Sequence, residues 1–401
     1  MKEIIQSTGL SDNLKTIANK VFRQERLNDK EGLCLYEEAG LGLLGVLASY
    51  TREKKNGNFV YFNRNFHIEP TNICIYNCRF CSYSRKINEK GAWEYSINDI
   101  LSKVSEYKDK PVTEVHIVGG VHPNRDLHYY GNMIRKIKEI LPQIHVKAFT
   151  AIELDFMIKK SRMTLDEGLK KLKEYGLDSI PGGGAEIFRE EIRKQICDEK
   201  SSTLEWLKIH ETAHKKGIPS NATMLYGHIE NYSDRIDHLS RLRKLQDKTG
   251  GFNTFIPLKY RMANNKLSDI GEVTTIEDMR NFAVSRIYLD NFPHIKSYWP
   301  MIGKETTQLS LSFGVDDIDG TIDDTTKIYS MAGADDKKPT LTTNQLVTLI
   351  SEAGRIPVER DTLYNVIQEY GKNGIEGVEG VKGIEGVEGV KGVEGIEGVK
   401  E

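Results

Sequence analysis

The sequence predicts an α/β protein whose main part is a (β/α)8 barrel of the TIM type, preceded by helices. Between positions 57 and 366, apolar runs of strand length alternate with longer helical stretches, as in parallel βα units. Eight such runs can be distinguished, which is the strand number of a closed barrel. A partial (β/α)6 barrel is the alternative if the last two runs are not strands. In chain order the predicted strands are Phe66–Glu69, Val112–Val118, Ile144–Phe149, Ser179–Ile180, Pro219–Met224, Phe252–Phe255, Ile295–Trp299 and Asp316–Ile318.

The region before the barrel, residues 1–56, is predicted to be helical. Ser11 can cap a helix in which Leu14, Ile17 and Val21 recur at helical spacing. The apolar run from Leu41 to Leu47, interrupted only by glycines, indicates a further buried helix. We expect this region to form a helical cap on the barrel domain, which occupies residues 57–366 together with a C-terminal extension.

The last residues, 367–401, are predicted to form a disordered tail. From Gly374 to Lys400, glycine is followed by Ile or Val and then by Glu or Lys in a nearly regular repeat. Collagen-like triple helices need abundant proline, and this repeat contains none. The entropy cost of ordering glycine and the small apolar face both favour disorder. A role in association is the alternative, and we assign the tail no chemistry.

The composition narrows the classes of function. The chain has 401 residues, of which 28% are charged, and its formal net charge is −2, so neither a nucleic-acid nor a membrane partner is expected. It contains no apolar run near the roughly 20 residues that span a bilayer. The start of the chain lacks the basic and apolar stretches of a secretory signal. We therefore expect a cytoplasmic enzyme for a small molecule, with its oligomeric state left open.

Three cysteines in a CxxxCxxC spacing, Cys74, Cys78 and Cys81, point to a metal site. A [4Fe–4S] cluster normally takes four thiolates, so three closely spaced cysteines leave one iron free to bind a reactant. The other cysteines, Cys34 and Cys197, are isolated. Structural zinc sites close their coordination with four ligands, so zinc is the weaker interpretation. We predict that the three cysteines ligate a [4Fe–4S] cluster.

This cysteine triplet resembles the signature of the radical S-adenosylmethionine superfamily, and Phe80 fills the position where that family keeps an aromatic residue near the adenine. The resemblance implies that the free iron chelates the methionine part of S-adenosylmethionine. One electron from the cluster would then cleave the sulfonium, so that the cofactor supplies the difficult chemistry. An electron donor such as flavodoxin or ferredoxin is implied as a partner.

Glycine-rich turns follow two of the predicted strands. Gly119 and Gly120 come directly after the second strand, and Gly182 to Gly184 follow the fourth. Function gathers at the carboxyl ends of barrel strands, and glycine lets a ligand approach the backbone closely. In the superfamily, a glycine-rich turn after the second strand contacts the methionine amino group. We expect Gly119, Gly120 and Gly183 to bind the cofactor.

Polar side chains lie at the same strand ends. Glu153 can accept hydrogen bonds from the sugar or ammonium of the cofactor, and Asn221 could also reach it. Glu186, His228 and Arg235 are predicted to be catalytic, with Arg235 as a guanidinium clamp for a carboxylated substrate. For Glu153 the alternative is a solvated carboxylate at a helix start. For His228 and Arg235 the alternative is a structural role.

Longer stretches resemble the radical enzymes of the futalosine pathway and of deazaflavin formation, over roughly residues 10 to 366. Among these, the later segments are more similar to the aminodeoxyfutalosine synthase family. One departure is Glu69, where a short polar residue is expected. The stretches that carry the resemblance are His67–Asn72, Ser84–Lys86, His116–Pro123, Lys147–Glu153, Ser179–Phe188, Asn221–Glu230, Leu289–Trp299, Asp319–Thr321 and Lys327–Ala334.

This resemblance implies a reaction of menaquinone biosynthesis. The 5′-deoxyadenosyl radical would add to the enol-ether double bond of 3-[(1-carboxyvinyl)oxy]benzoate, a substrate with two carboxylates. The adduct radical would rearrange onto the arene, lose its carboxylate and be reoxidised by one electron, which would give 6-amino-6-deoxyfutalosine with methionine and bicarbonate or carbon dioxide released. S-adenosylmethionine is then a consumed cosubstrate.

Two other functions remain as alternatives. The related cyclase of the same pathway would abstract hydrogen from dehypoxanthine futalosine and close a ring. A non-catalytic iron–sulfur carrier could also use three protein ligands and an external fourth, although a carrier does not need glycine-rich pockets in a domain of this size.

Overall fold

The computed structural model describes residues 9–322, 326–334 and 339–371. Ten strands are found there: β1 Phe59–Phe62, β2 Asn65–Ile68, β3 Glu114–Ile117, β4 His145–Ala148, β5 Ser220–Tyr226, β6 Phe252–Lys259, β7 His294–Ser297, β8 Asp317–Ile318, β9 Ile356–Arg360 and β10 Val366–Glu369. The α-helices of the same residues are α1 Asp12–Phe22, α2 Asp29–Glu38, α3 Leu41–Asn56, α4 Ile97–Ser105, α5 Leu127–Ile140, α6 Ala151–Lys160, α7 Leu165–Tyr175, α8 Glu190–Cys197, α9 Thr203–Lys215, α10 Tyr232–Thr249, α11 Thr275–Tyr288, α12 Trp299–Ile302, α13 Lys304–Ser310, α14 Ile328–Met331 and α15 Thr343–Glu352.

Eight strand positions follow one another in parallel around a barrel. β2, β3 and β4 form one ladder, and β5, β6, β7 and β8 form another. The predicted fourth strand joins the two ladders, because Ser179 bridges to Lys147 of β4 and Ile180 bridges to Ser220 of β5. All eight predicted strands are therefore present, and the closed barrel is confirmed over the six-stranded alternative.

The barrel closes through one bent segment. β1 pairs in parallel with β8, and β2, which begins three residues after β1 ends, pairs in parallel with β3. The junction is also held by Thr321, whose hydroxyl accepts from the Asn65 N–H at 3.1 Å and donates to the Asn65 carbonyl at 2.7 Å. The segment after β8 thus meets the start of β2, and the ring is complete.

Three strands were not predicted. β1 extends the sheet outward, where it pairs in parallel with β9, and β10 then pairs antiparallel with β9. β10 crosses the predicted boundary between residues 366 and 367, so the sheet continues to Glu369. Most of the predicted tail, residues 372–401, lies outside the described residues.

The N-terminal region contains the predicted helices, α1 to α3. The Ser11 side chain accepts a hydrogen bond from the Leu14 N–H at 3.3 Å, as expected of a helix cap. These helices pack on the outer ring of the barrel, mainly against α10 and α11. No described residue before β1 lines the central cavity, so this region covers the flank of the barrel and not its mouth. None of the described helices has the length and apolarity needed to cross a bilayer.

The barrel interior contains a polar layer made of buried ion pairs. Lys147 contacts Glu114 at 2.6 Å, and Arg360 contacts Asp317 at 2.8 Å. Burial alone would raise the pKa of Glu114, but the adjacent lysines hold it well below its usual range. Paired in this way, the charges fill the space beneath the central cavity without leaving an isolated ion.

Candidate active site

The three cysteines lie on an irregular loop between β2 and α4. The Cys74 N–H donates to the Arg85 carbonyl at 2.9 Å, which ties the start of the loop to its end. The Lys86 ammonium donates to the carbonyls of Cys74, Ile75 and Tyr76 at 3.2, 2.6 and 3.2 Å. One lysine thus holds the turn that carries the first cysteine.

All three thiols line one wall of the central cavity, at the carboxyl ends of the strands. Within the described residues, no three His, Cys, Asp or Glu side chains converge closely enough to hold a single metal ion. Burial raises the pKa of Cys78 to about 12 and also raises that of Cys74, so without a metal these groups are neutral thiols. Metal binding must therefore displace their protons.

Gly119 and Gly120 lie against the backbone of the cysteine loop and also line the cavity. A Cβ atom on Gly120 would lie 2.3 Å from the Ile73 carbonyl oxygen, and one on Gly119 would lie 2.8 Å from the Thr71 carbonyl oxygen. These contacts are closer than any side chain allows. The glycines are thus explained by close packing on the loop, in addition to any contact with a ligand.

Glu153 lies in the first turn of α6 and also lines the cavity. Its carboxylate accepts from the Thr150 N–H at 2.7 Å, the Thr150 hydroxyl at 2.8 Å and the Gly119 N–H at 3.1 Å. Burial raises its pKa to about 7, against the opposing effect of these hydrogen bonds. Glu153 is not the solvated carboxylate of the alternative interpretation, since only 6% of it is exposed.

Gly183, Gly184 and Glu186 follow the fourth strand and line the same wall. Gly182 must be glycine, because its φ is +88° and a Cβ atom there would lie 2.1 Å from the Asn221 carbonyl oxygen. Glu186 itself has a φ of +48°, a strained value for a residue with a side chain. The Leu225 N–H donates to the Glu186 carbonyl at 2.8 Å and helps to hold this conformation.

Lys200 completes this wall and was not found from the sequence. Its ammonium donates to Glu186 at 2.6 Å and lies 5.2 Å from the centre of the Phe80 ring. Phe80 also lines the cavity, as predicted for a residue near the cofactor. Lys200 stands in a stretch of charged residues after α8, so no sequence signal separated it from surface lysines.

Three predicted site residues lie outside the cavity wall. The buried His228 imidazole lies 3.1 Å from the Glu230 carboxylate and 3.1 Å from the Leu225 carbonyl, and burial lowers its pKa. The Arg235 guanidinium pairs with Glu230 at 2.8 Å and Glu277 at 2.5 Å. The expected carboxylate clamp is therefore already occupied by two carboxylates of the protein. Asn221 is buried and likewise does not line the cavity.

The opposite wall comes from the segments after β6, β7 and β8. It is largely aromatic and apolar, and the rings of Tyr298 and Tyr329 lie 4.8 Å apart in a tilted arrangement. Lys259 at the end of β6 and Arg261 two residues later are the cations of this wall, and 14% of the Arg261 side chain is exposed. Tyr298 and Tyr329 lie in stretches that carry the family resemblance, but the sequence analysis assigned them no role. Arg261 was not singled out, because a lone arginine after a strand is common.

Comparison with known proteins identifies the family. The radical SAM superfamily model matches residues 68–242, and the model of the CofH/MqnC C-terminal region matches residues 249–372. The aminodeoxyfutalosine synthase of Thermus thermophilus is 45% identical over 91% of this chain and 99% of that protein. The chain belongs to the radical S-adenosylmethionine superfamily.

Other relatives are consistent with this membership. The aminodeoxyfutalosine synthase of Streptomyces coelicolor is 41% identical over 89% of this chain and 94% of its own length. The cyclic dehypoxanthine futalosine synthase of the same organism is 36% identical over 88% of each chain. Among solved structures, the hydrogenase maturase HydG from Carboxydothermus hydrogenoformans has a TM-score of 0.70 at 18% identity, over 90% of this chain and 83% of its own. That likeness concerns the fold alone.

The cysteine loop fits the [4Fe–4S] cluster that this superfamily uses together with S-adenosylmethionine. The three thiols line the same cavity, and as three thiolate donors they suit a cluster of which the fourth iron stays open. The cavity continues from the thiols past the Gly119, Glu153 and Gly183 turns, so a ligand bound to the free iron would lie along this wall.

Proposed function

We propose that this enzyme is an aminodeoxyfutalosine synthase, which joins the adenosyl group of S-adenosylmethionine to 3-[(1-carboxyvinyl)oxy]benzoate and forms 6-amino-6-deoxyfutalosine. The observation that carries the proposal is the 45% identity to the Thermus synthase over nearly the full length of both proteins. The cyclase relative, at 36%, is less similar. We therefore favour the synthase over the cyclase.

The three cysteines and the cavity residues beside them are suited to binding the cluster and S-adenosylmethionine. Cys74, Cys78 and Cys81 would hold the cluster, which when bound supplies the electron that cleaves S-adenosylmethionine. Phe80, Gly119, Gly183 and Glu153 line the space beside them and would position the nucleoside and methionine parts.

Glu186 and Lys200 would contribute a matched charge pair to this side of the cavity. Because their charges are paired at 2.6 Å, they add polarity to the wall without a net charge. Small shifts of either side chain would expose one N–H or one oxygen to a ligand. The prediction that Glu186 is catalytic stays a prediction, and Lys200 is its partner.

The tyrosine-rich wall is suited to an aromatic substrate. Tyr298 and Tyr329 provide ring surfaces, while Ile256, Leu258 and Met301 complete an apolar surface that excludes water. Exclusion of water protects a reactive carbon radical from side reactions. We also propose a flavodoxin- or ferredoxin-type electron donor and a cytoplasmic location, because an oxygen-labile cluster needs a reducing compartment.

A direct comparison of substrates tests this function. The cluster-loaded protein would be incubated without oxygen with dithionite, S-adenosylmethionine and either the enol ether or dehypoxanthine futalosine. We expect methionine and 6-amino-6-deoxyfutalosine from the enol ether, read by mass spectrometry, and no ring closure of the futalosine. Cyclised product from the second substrate alone would assign the chain to the cyclase.

A further inference from the structure

The cavity contains three cations among the described residues, and they differ in how fully their charge is compensated. Lys200 lies 2.6 Å from Glu186, and Lys259 lies 2.9 Å from Asp278. Arg261 has a looser ion pair, with 3.3 Å between its Nε and the Glu272 carboxylate. Glu272 also accepts from the Met262 N–H at 3.0 Å, which draws its charge toward the backbone.

The remaining contacts of Arg261 are with neutral groups. Its Nη1 donates to the Met301 carbonyl at 3.0 Å, and its Nη2 donates to the Gly333 carbonyl at 2.8 Å. Each terminal nitrogen of a guanidinium carries two N–H groups, so one N–H on each remains for another acceptor. A guanidinium that keeps one N–H on each terminal nitrogen can bind a carboxylate with two hydrogen bonds.

The position of Arg261 indicates which end of the substrate it could contact. Arg261 follows β6, and its guanidinium contacts segments after β7 and β8, on the side of Tyr298 and Tyr329. The cysteines follow β2, and the chain after Arg261 turns back toward their loop, where the Ala263 carbonyl accepts from the Ser82 hydroxyl at 2.6 Å. In the proposed reaction, the vinyl carbon of the enol ether would face the cysteine loop, beside which the adenosyl group would be held. The carboxylate on the aromatic ring, at the other end of the substrate, would then lie toward Tyr298 and Tyr329.

We propose that Arg261 binds the ring carboxylate of the substrate and so determines which end of the enol ether faces the cysteine loop. This inference rests on the proposed function. Arg261 then has the role that the sequence predicted for Arg235, which is to bind a substrate carboxylate. The Arg235 guanidinium is instead paired with Glu230 and Glu277. Arg261 is a binding residue in this account, and the chemistry takes place at the other end of the substrate.

The test compares two substrates in four proteins: the wild type, two variants of Arg261 and one control variant. The substrates are 3-[(1-carboxyvinyl)oxy]benzoate and 2-phenoxyacrylate, which lacks the ring carboxylate. KM and kcat come from product formation, and Kd comes from calorimetry on the cluster-loaded protein. A charge-assisted pair of hydrogen bonds corresponds to about a 100-fold preference of the wild type for the dicarboxylate. Arg261→Met should abolish the preference, and Arg261→Lys should retain about a tenfold preference.

The analogue separates binding from a structural role. If Arg261 acts on the ring carboxylate, Arg261→Met should raise the KM for the dicarboxylate far more than the KM for 2-phenoxyacrylate. Arg280→Met is the matched control, since Arg280 also donates to two carbonyls, those of Tyr36 and Ala39, but does not line the cavity. It should keep the full preference.

Three results would overturn the inference: a wild type without preference, a preference that persists in Arg261→Met, or an equal loss of both substrates in that variant. Failure of the proposed function would look different, because the wild type would then form no adenosyl adduct from the enol ether. The ratio of Kd values would still decide the role of Arg261 in that case.

Discussion

At the scale of single residues, burial and ion-pair partners distinguish the residues that line the cavity from residues that lie near strand ends but do not reach it. Glu153, Glu186 and Phe80 reach the cavity, as the sequence predicted. Arg235 does not, because Glu277, 42 positions later in the chain, supplies a partner that no local pattern reveals. Lys200 and Arg261 were missed for the converse reason, since only the closed barrel brings them to the cavity.

The cysteine assignment predicts the effect of removing one ligand. Cys78→Ala should abolish cluster assembly and all cleavage of S-adenosylmethionine, because two thiolates cannot hold the cluster in place of three. Iron and sulfide content, the visible absorbance and 5′-deoxyadenosine formation measure this. Cys34→Ala, on α2 and away from the cavity, is the control and should behave as wild type. Full activity in Cys78→Ala would contradict the cluster assignment.

The buried carboxyl of Glu153 predicts a pH dependence of stability. Its pKa of about 7 lies above the ordinary value of 4.5, so between these pH values the folded state binds more protons than the unfolded state. The free energy of unfolding should therefore fall as pH rises from about 5 to 7, by at most about 1.4 kcal/mol per pH unit for one proton. Urea titrations at several pH values measure the slope. Glu153→Gln should make it shallower by this contribution, and an unchanged slope would contradict the assignment.

At the scale of elements, the eight barrel strands could be predicted because each is an apolar run followed by a turn. β9 escaped prediction because Glu359 and Arg360 interrupt its apolar pattern, and these charges are buried only through pairing with Arg64 and Asp317. β10 is exposed along its length and has no buried face to detect. Tertiary pairing, which sequence periodicity does not report, defines both strands.

The turn after β3 predicts a steric effect on the cysteine loop. A methyl group added by Gly120→Ala would meet the Ile73 carbonyl at 2.3 Å, and this backbone atom cannot rotate away. We expect a loss of about 1–3 kcal/mol in stability and a lower iron content per chain. Gly42→Ala is the matched control, since no atom lies within 4 Å of the added methyl group in α3. It should gain about 0.5–1 kcal/mol and load iron fully. Equal iron content in both variants would show that the close approach is not needed.

At the scale of the whole molecule, the barrel brings turns from distant parts of the chain to one cavity. The cysteine loop, the turns after β3 and β4 and the Gly182 segment form one wall, while segments after β6 to β8 form the other. This division could be predicted in outline from strand order alone. The flank position of α1 to α3 could not, because their apolar faces do not specify which surface they cover.

The position of β10 predicts that two C-terminal truncations differ in stability. A chain ending at Gly371 keeps β10 and the hydrogen bond from the Tyr370 hydroxyl to Glu359 at 2.8 Å, so its turnover and melting temperature should equal those of the full chain. A chain ending at Asn365 loses β10 and should melt at a lower temperature. Reduced turnover in the first truncation would assign the repeat tail a role that we do not expect.

In the proposed reaction, the adenosyl group of S-adenosylmethionine becomes part of the product, and an isotope label tests this directly. S-adenosylmethionine carrying ¹³C throughout its adenosine would be supplied with the enol ether to the cluster-loaded enzyme without oxygen. We expect the label to appear in 6-amino-6-deoxyfutalosine in a one-to-one ratio to methionine. Label found only in free 5′-deoxyadenosine, with none in a larger product, would contradict the proposed reaction.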